Sequence, residues 1–95
     1  MDQENQKAIQ YGKNFEIMMA SEGWKQVEDL LDAFEEEAMD DLTDYLGSDN
    51  NLLRIKQLAY KSVKRTHEAL TAHIQSAIET AHELIRGDYS NERHQ

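Results

Sequence analysis

The sequence predicts an all-α protein: a long antiparallel helical hairpin whose first arm is kinked or broken, giving three helices in a single domain over residues 1–95. Proline is absent, and no segment shows the strict apolar–polar alternation that is typical of half-buried strands. Apolar residues instead recur at helical spacings along most of the chain. Residues 21–50 carry eleven acidic side chains and one basic side chain, and a mildly basic helix follows, so the two arms are expected to attract each other.

The first helix is predicted over residues 5–20. Its apolar face has 3-4-3 spacing and consists of Ala8, Tyr11, Phe15 and Met18. The segment from Ser21 to Gly23 weakens the helix, because serine is a good N-cap and a glycine costs about 1 kcal/mol in a helix interior. We therefore place a kink or break here.

The second helix is predicted over residues 24–46, and its apolar stripe is close to the heptad of a coiled coil. Gly47 is well placed to end this helix as a C′ residue. Ser48, Asp49 and Asn50 then offer N-cap oxygens for the next helix. The stripe consists of Trp24, Val27, Leu31, Phe34, Ala38, Leu42 and Tyr45.

The third helix is predicted over residues 51–86, with Arg86 and Gly87 as its C-terminal stop. Residues 88–95 are polar and are expected to form a frayed tail. The apolar stripe consists of Leu52, Ile55, Ala59, Val63, Thr66, Leu70, Ile74, Ala77, Ala81 and Leu84.

A short turn at residues 47–50 forces the second and third helices antiparallel. Simple reflection about this turn places Trp24 near Leu70 and Ile74. Continued through the break, the reflection places Tyr11 opposite Ile85. The matching apolar faces favour the hairpin over a compact three-helix bundle, which is the alternative. A hairpin alone leaves one side of each stripe in water, so pairing of two or more chains is expected.

Composition excludes several functions. The net charge of −9 argues against direct nucleic-acid binding, which needs a basic patch, and against an anionic membrane surface. Cysteine is absent, so disulfides and thiolate metal sites are impossible. No apolar run approaches the ~20 residues of a membrane span, and the polar start is no signal peptide. These features predict a cytoplasmic protein.

No residue cluster specifies a reaction, a cofactor or a metal. Glu79 and His82 match one Glu-x-x-His element of di-iron bundles, but those sites need two such elements and two further glutamates. A surface pair of side chains is the simpler interpretation. His67, His73 and His82 do not share a helix face, so a zinc ligand pair is missing on this helix and solvated histidines are expected. The acidic segment does not fit a calcium loop.

Protein–protein contact is the remaining kind of site. Trp24 could anchor a partner, although its place on the stripe favours core packing. The carboxylates near the turn lie opposite a basic segment from Arg54 to Arg65, which should neutralise many of them. The candidate interaction residues are Trp24, Phe15, Met18, Glu35, Glu36, Asp40 and Asp44.

The segment from Ser21 to Leu70 resembles a family of small helical proteins encoded in the structural-gene modules of tailed bacteriophages, near the head and portal genes. The resemblance lies in the opening Gly23-Trp24-Lys25, the acidic helix, the Asp/Asn turn at residues 49–51 and the helix that begins Leu52-Leu53-Arg54. This chain departs from the family pattern in its long N-terminal extension and in the third helix, which continues to Arg86. The resemblance implies a viral, non-enzymatic assembly or virion component.

The leading hypothesis is a non-enzymatic phage structural or assembly protein, located in the virion or the host cytoplasm. Its expected partners are further copies of itself and other virion proteins. The alternative is an acidic DNA mimic that inhibits a host nuclease or defence protein. An enzyme of di-iron type is a third class, which rests only on Glu79 and His82.

Overall fold

A computed structural model describes the backbone of residues 2–93 and the side chains of residues 2–87. Over this part of the chain there are three helices and no strand: α1 (Gln3–Met19), α2 (Glu22–Thr43) and α3 (Asn50–Arg93). The predicted all-α class is confirmed. None of the three helices, within the described residues, combines the length and apolar composition that a membrane span requires.

Local capping determines where α1 and α2 begin. The Asp2 carboxylate accepts a hydrogen bond from the Glu4 backbone N–H at 3.0 Å. Ser21 serves both sides of the break, because its hydroxyl donates to the Met18 carbonyl at 2.5 Å and accepts from the Trp24 N–H at 3.1 Å. The predicted N-cap at Ser21 is confirmed, and Gly23 lies within the first turn of α2 rather than before it.

The connection between α2 and α3 differs from the prediction. The second helix ends at Thr43, and Gly47 does not adopt a positive φ, so its predicted C′ role is wrong. A Cβ on Gly47 would lie 2.5 Å from the Tyr45 hydroxyl, so any other residue here would have to displace the Tyr45 ring. That hydroxyl accepts a hydrogen bond from the Asp49 N–H at 3.1 Å, while the Asp49 carboxylate caps α3 by accepting from Asn51 at 2.9 Å and Leu52 at 3.2 Å.

The third helix runs through its predicted stop at Gly87 and continues to Arg93. The predicted frayed tail is therefore wrong for residues 88–93, and residues 94–95 lie outside the described part of the chain. A glycine lowers helix propensity by about 1 kcal/mol but ends a helix only when its φ becomes positive. Gly87 keeps a negative φ, and no proline follows it.

The chain divides into two compact units. Unit 1 consists of the residues up to Trp24 together with those from Thr71 onward. Its apolar core is formed by Trp24, Ile74 and Ala81. Gly12 is also buried, and a Cβ at this position would overlap the Ala77 carbonyl oxygen and the Ala81 side chain. Small residues thus bring α1 close to α3.

The predicted pairing of α1 with α3 holds only in part. Glu16 pairs with His82 at 3.0 Å, close to the position that reflection about the turn places opposite it. Tyr11 instead shares a hydrogen bond with His73 at 2.8 Å, roughly three helical turns before Ile85, its predicted neighbour. The reflection assumed that α1 continues in the direction of α2, whereas the break at residues 20–21 frees α1 to pack where Gly12 allows close approach.

Unit 2 comprises Lys25–Leu70, and none of its residues is fully buried. Over the first half of α3, the covered positions match the predicted apolar stripe only at Val63. Leu52, Ile55 and Ala59 are exposed, and in each of these three cases the next residue is covered instead. The half-buried positions are Leu53, Lys56, Tyr60, Val63 and His67.

The second helix keeps most of its predicted stripe covered, because Leu31, Ala38 and Leu42 are half-buried in unit 2. Val27 and Phe34 are the exceptions: both are exposed, Phe34 to 48%, whereas Glu35 is half-buried.

A heptad determines which face of α3 is covered. Ala81, Ile74, His67, Tyr60 and Leu53 recur every seven residues along this helix and are all covered. Three polar side chains, Glu35, Lys56 and His67, therefore occupy half-buried contact positions.

Candidate functional site

The seven candidate interaction residues fall in different units. Trp24, at 9% exposure, is part of the core of unit 1, which agrees with the packing interpretation of this residue. Its indole nitrogen has no hydrogen-bond partner among the described residues. Phe15 and Met18 are half-buried in the same unit. Phe15 packs edge-on against Tyr11, with ring centroids 4.7 Å apart.

The four acidic candidates belong to unit 2. Glu36, Asp40 and Asp44 are exposed, whereas Glu35 is half-buried. The predicted neutralisation by the basic segment is mostly wrong. One cross-helix ion pair forms, between Lys56 and Asp41 at 2.9 Å. Among the described residues the other bases of this segment make no ion pair; they are Arg54, Lys61, Lys64 and Arg65.

Several carboxylates of α2 are likewise without an ion pair to any described residue. All of them are exposed to solvent; five lie on α2, and Asp44 directly follows its last residue, Thr43. They are Glu28, Asp29, Glu36, Glu37, Asp40 and Asp44. Reflection predicted opposite charges facing each other, but the shifted heptad turns most of the bases of α3 away from α2. Unit 2 therefore presents unpaired charges of both signs.

An open apolar groove lies between α2 and α3 within unit 2. One part, of about 260 Å³, is lined by Leu31, Phe34, Val63 and Thr66 among others. A second part, of about 600 Å³, shares Phe34 and Val63, adds Ala38 and Ala59, and is rimmed by acidic side chains. The rim consists of Glu37, Asp40, Asp41 and Asp44. The groove thus combines an apolar floor with a negative edge.

Further apolar side chains of unit 2 are exposed. Ile55 is 60% exposed, and Leu46 in the connection is 96% exposed. Single exposed apolar residues are normal on a soluble protein, but a set on one small unit marks an interaction surface. The other exposed apolar side chains of unit 2 are Val27, Leu30, Leu52, Leu58 and Leu70.

The histidines of α3 are not simply solvated, as the sequence had suggested. His73 bonds to Tyr11, and His82 pairs with Glu16 rather than with Glu79. His67 is half-buried, and its Nδ1 lies 3.2 Å from a Glu35 oxygen and 3.9 Å from an Asp32 oxygen. Each histidine meets a side chain from another helix.

We did not predict the cluster of Asp32, Glu35 and His67 from the sequence, because spacing along one helix cannot reveal ligands that come from two helices. A signal was present in the sequence. Counting back by sevens from Ala81 and Ile74 puts His67 on the covered face of α3. Asp32 and Glu35 are spaced i, i+3, so they share a face of α2.

Comparisons of the chain with protein-family models, with curated proteins and with solved structures give no match.

Proposed function

We propose that this protein is a non-enzymatic structural or assembly protein that acts through helix-mediated contacts, first of all with further copies of itself. The observation that carries the proposal is the incomplete burial of apolar side chains in unit 2. None of its residues is fully buried, whereas Ile55, Phe34 and Leu30 are exposed. Covering apolar surface contributes about 25 cal/mol per Å², so a partner that covers this face stabilises the unit.

The proposed arrangement of unit 2 is an antiparallel hairpin of α2 and the first half of α3. Asp41 pairs with Lys56 near the connection. Glu35, earlier on α2, pairs with His67, later on α3. This order of contacts supports the antiparallel direction. The hairpin leaves the apolar groove open on one side for a second chain.

Charge complementarity favours another copy of the same chain as the occupant of the groove. The groove carries an acidic rim that includes Glu37, Asp40 and Asp44, which make no ion pair within the described chain. The same unit exposes unpaired bases, which a second copy could place against that rim. Apolar contact then supplies affinity, while the exposed charges select orientation.

Light scattering and sedimentation over a dilution series test self-association. We expect a dimer or higher oligomer at tens of micromolar that dissociates on dilution. A fully helical chain that stays monomeric at tens of micromolar would contradict the proposal.

A place in a phage particle is proposed from the resemblance over residues 21–70. An exposed apolar groove of unit 2 would suit a component that acts through protein–protein contact. Mass spectrometry of purified virions of the source phage provides the test. We expect peptides of this chain in the particle or in an assembly intermediate. Their absence from both would overturn the assignment while leaving the self-association test intact.

A DNA mimic is the second candidate function, and the unpaired carboxylates of α2 favour it. Rows of exposed negative charge can occupy a basic nucleic-acid site on a nuclease. The two functions differ in salt dependence. A mimic should release its target between low and physiological salt, because exposed charges are screened over about 8 Å at physiological ionic strength. A complex held by apolar contact should lose little affinity over the same range.

A further inference from the structure

We propose that Asp32, Glu35 and His67 form a binding site for a divalent transition-metal ion such as zinc, which would link α2 to α3 inside unit 2. One ligand atom from each residue lies within 4.8 Å of the other two. Zinc binds carboxylate oxygens and imidazole nitrogens at about 2.0–2.2 Å, so two ligands of one ion lie roughly 3.3–3.6 Å apart in tetrahedral geometry. The observed separations of 3.2 and 3.9 Å from His67 Nδ1 need only small side-chain adjustments.

The chemistry of the donor set selects the class of ion. Calcium and magnesium prefer oxygen ligands, whereas imidazole suits zinc, copper, nickel and iron. Coordination through Nδ1 uses the neutral ring with its proton on Nε2. Two carboxylates then balance the charge of a dication, and the excess of negative charge on α2 favours binding further.

The position of the cluster provides a second, independent observation. His67 and Glu35 occupy half-buried contact positions between the helices, while the neighbouring Phe34 faces outward. Apolar residues at these positions would stabilise the contact better than an ion pair would. A bound metal ion would explain why Glu35 and His67, which can both act as metal ligands, occupy these half-buried positions.

The site is also accessible to an ion and to water. An open groove of about 300 Å³ is lined by Asp32, Glu35, Glu36, Met39 and Tyr60. Helical geometry places Asp32 and Glu36 on one side of Glu35 and Phe34 on the other. The two carboxylates therefore reach the site from the flank of α2 opposite Phe34, while His67 also lines the apolar groove. The metal proposal rests on contacts within one chain and does not depend on self-association.

Isothermal titration of the full chain with zinc alone tests the site. We expect saturable binding of one ion per chain. Asp32→Asn should weaken it roughly 10- to 100-fold, and its side chain is 70% exposed, so the variant should fold normally. The control is Glu83→Gln, which removes the same charge at an exposed position of α3 far from the cluster in sequence and should change affinity less than about twofold.

A spectroscopic readout identifies the ligand directly. On zinc addition the Nδ1 resonance of His67 should shift, while the ring signals of His73 and His82 should not. His67→Gln should abolish saturable binding with its helical content kept. Absence of saturable binding to the wild-type chain, or equal weakening by Asp32→Asn and Glu83→Gln, would overturn the proposal and leave only a diffuse attraction of cations to an acidic chain.

Discussion

At the scale of single residues, two glycines of the same chain have opposite structural roles. A Cβ at Gly12 would overlap the Ala77 carbonyl oxygen and the Ala81 side chain, whereas nothing lies within 4 Å of a Cβ at Gly87. We expect Gly12→Ala to destabilise the protein by about 1–3 kcal/mol through overpacking. Gly87→Ala should stabilise it by about 0.5–1 kcal/mol, because alanine has the higher helix propensity.

Urea unfolding followed by circular dichroism measures both variants under the same conditions. The two changes are chemically identical, so the difference in sign isolates the contact between α1 and α3. Equal effects of the two substitutions would contradict the close approach of these helices at Gly12.

Trp24 gives a second test at this scale. Its side chain is in the core of unit 1, and Trp24→Ala should cost on the order of 3–5 kcal/mol. Leu46→Ala is the control, since Leu46 is 96% exposed and should change the free energy of unfolding by less than about 0.5 kcal/mol. A cost below about 1 kcal/mol at Trp24, together with lost partner binding, would reassign this residue to an exposed interface.

The contacts of the histidines could not be predicted from single residues. The sequence offered His67, His73 and His82 as separate solvated groups, because spacing along one helix was the only geometry available. Their partners come from other helices, and the long separation in sequence makes each contact depend on how the helices pack. Only the partners of His67 could be anticipated. The heptad puts His67 on the covered face, and the i, i+3 spacing puts Asp32 and Glu35 on one face of α2.

At the scale of helices, the sequence predicted where α2 and α3 are capped at their N-termini, but it did not predict where they end. Ser21 and Asp49 cap α2 and α3 as expected, because an N-cap depends on one side chain and on backbone N–H groups two or three residues later. Gly47 and Gly87 were expected to end helices, yet neither adopts a positive φ. Glycine permits that conformation without requiring it, so its position alone does not define a helix end.

The covered face of each helix was predicted correctly only in part. Ile74, Ala77, Ala81 and Leu84 are covered as expected. In the first half of α3 we predicted that the apolar residues Leu52, Ile55 and Ala59 would be covered. The half-buried positions are instead one residue later, at 53, 56 and 60. This difference leaves apolar side chains of α3 exposed within unit 2.

At the scale of the whole molecule, the small apolar core determines how stable we expect the protein to be. Among the described residues the buried apolar side chains are Trp24, Ile74 and Ala81, all of them in unit 1. Small domains of this length are marginal even with a complete core. Self-association would therefore be coupled to stability, and the unfolding midpoint should rise with protein concentration.

The most direct test of self-association through unit 2 is a light-scattering dilution series on Ile55→Lys and Gln57→Lys. Both variants add the same side chain to neighbouring exposed positions of α3, but helical geometry puts Ile55 on the flank of the apolar groove and Gln57 on the opposite flank. We predict that Ile55→Lys weakens self-association roughly tenfold or more, while Gln57→Lys leaves it within about twofold and both remain helical. Equal dissociation constants for the two variants and the wild-type chain would contradict the proposed interface.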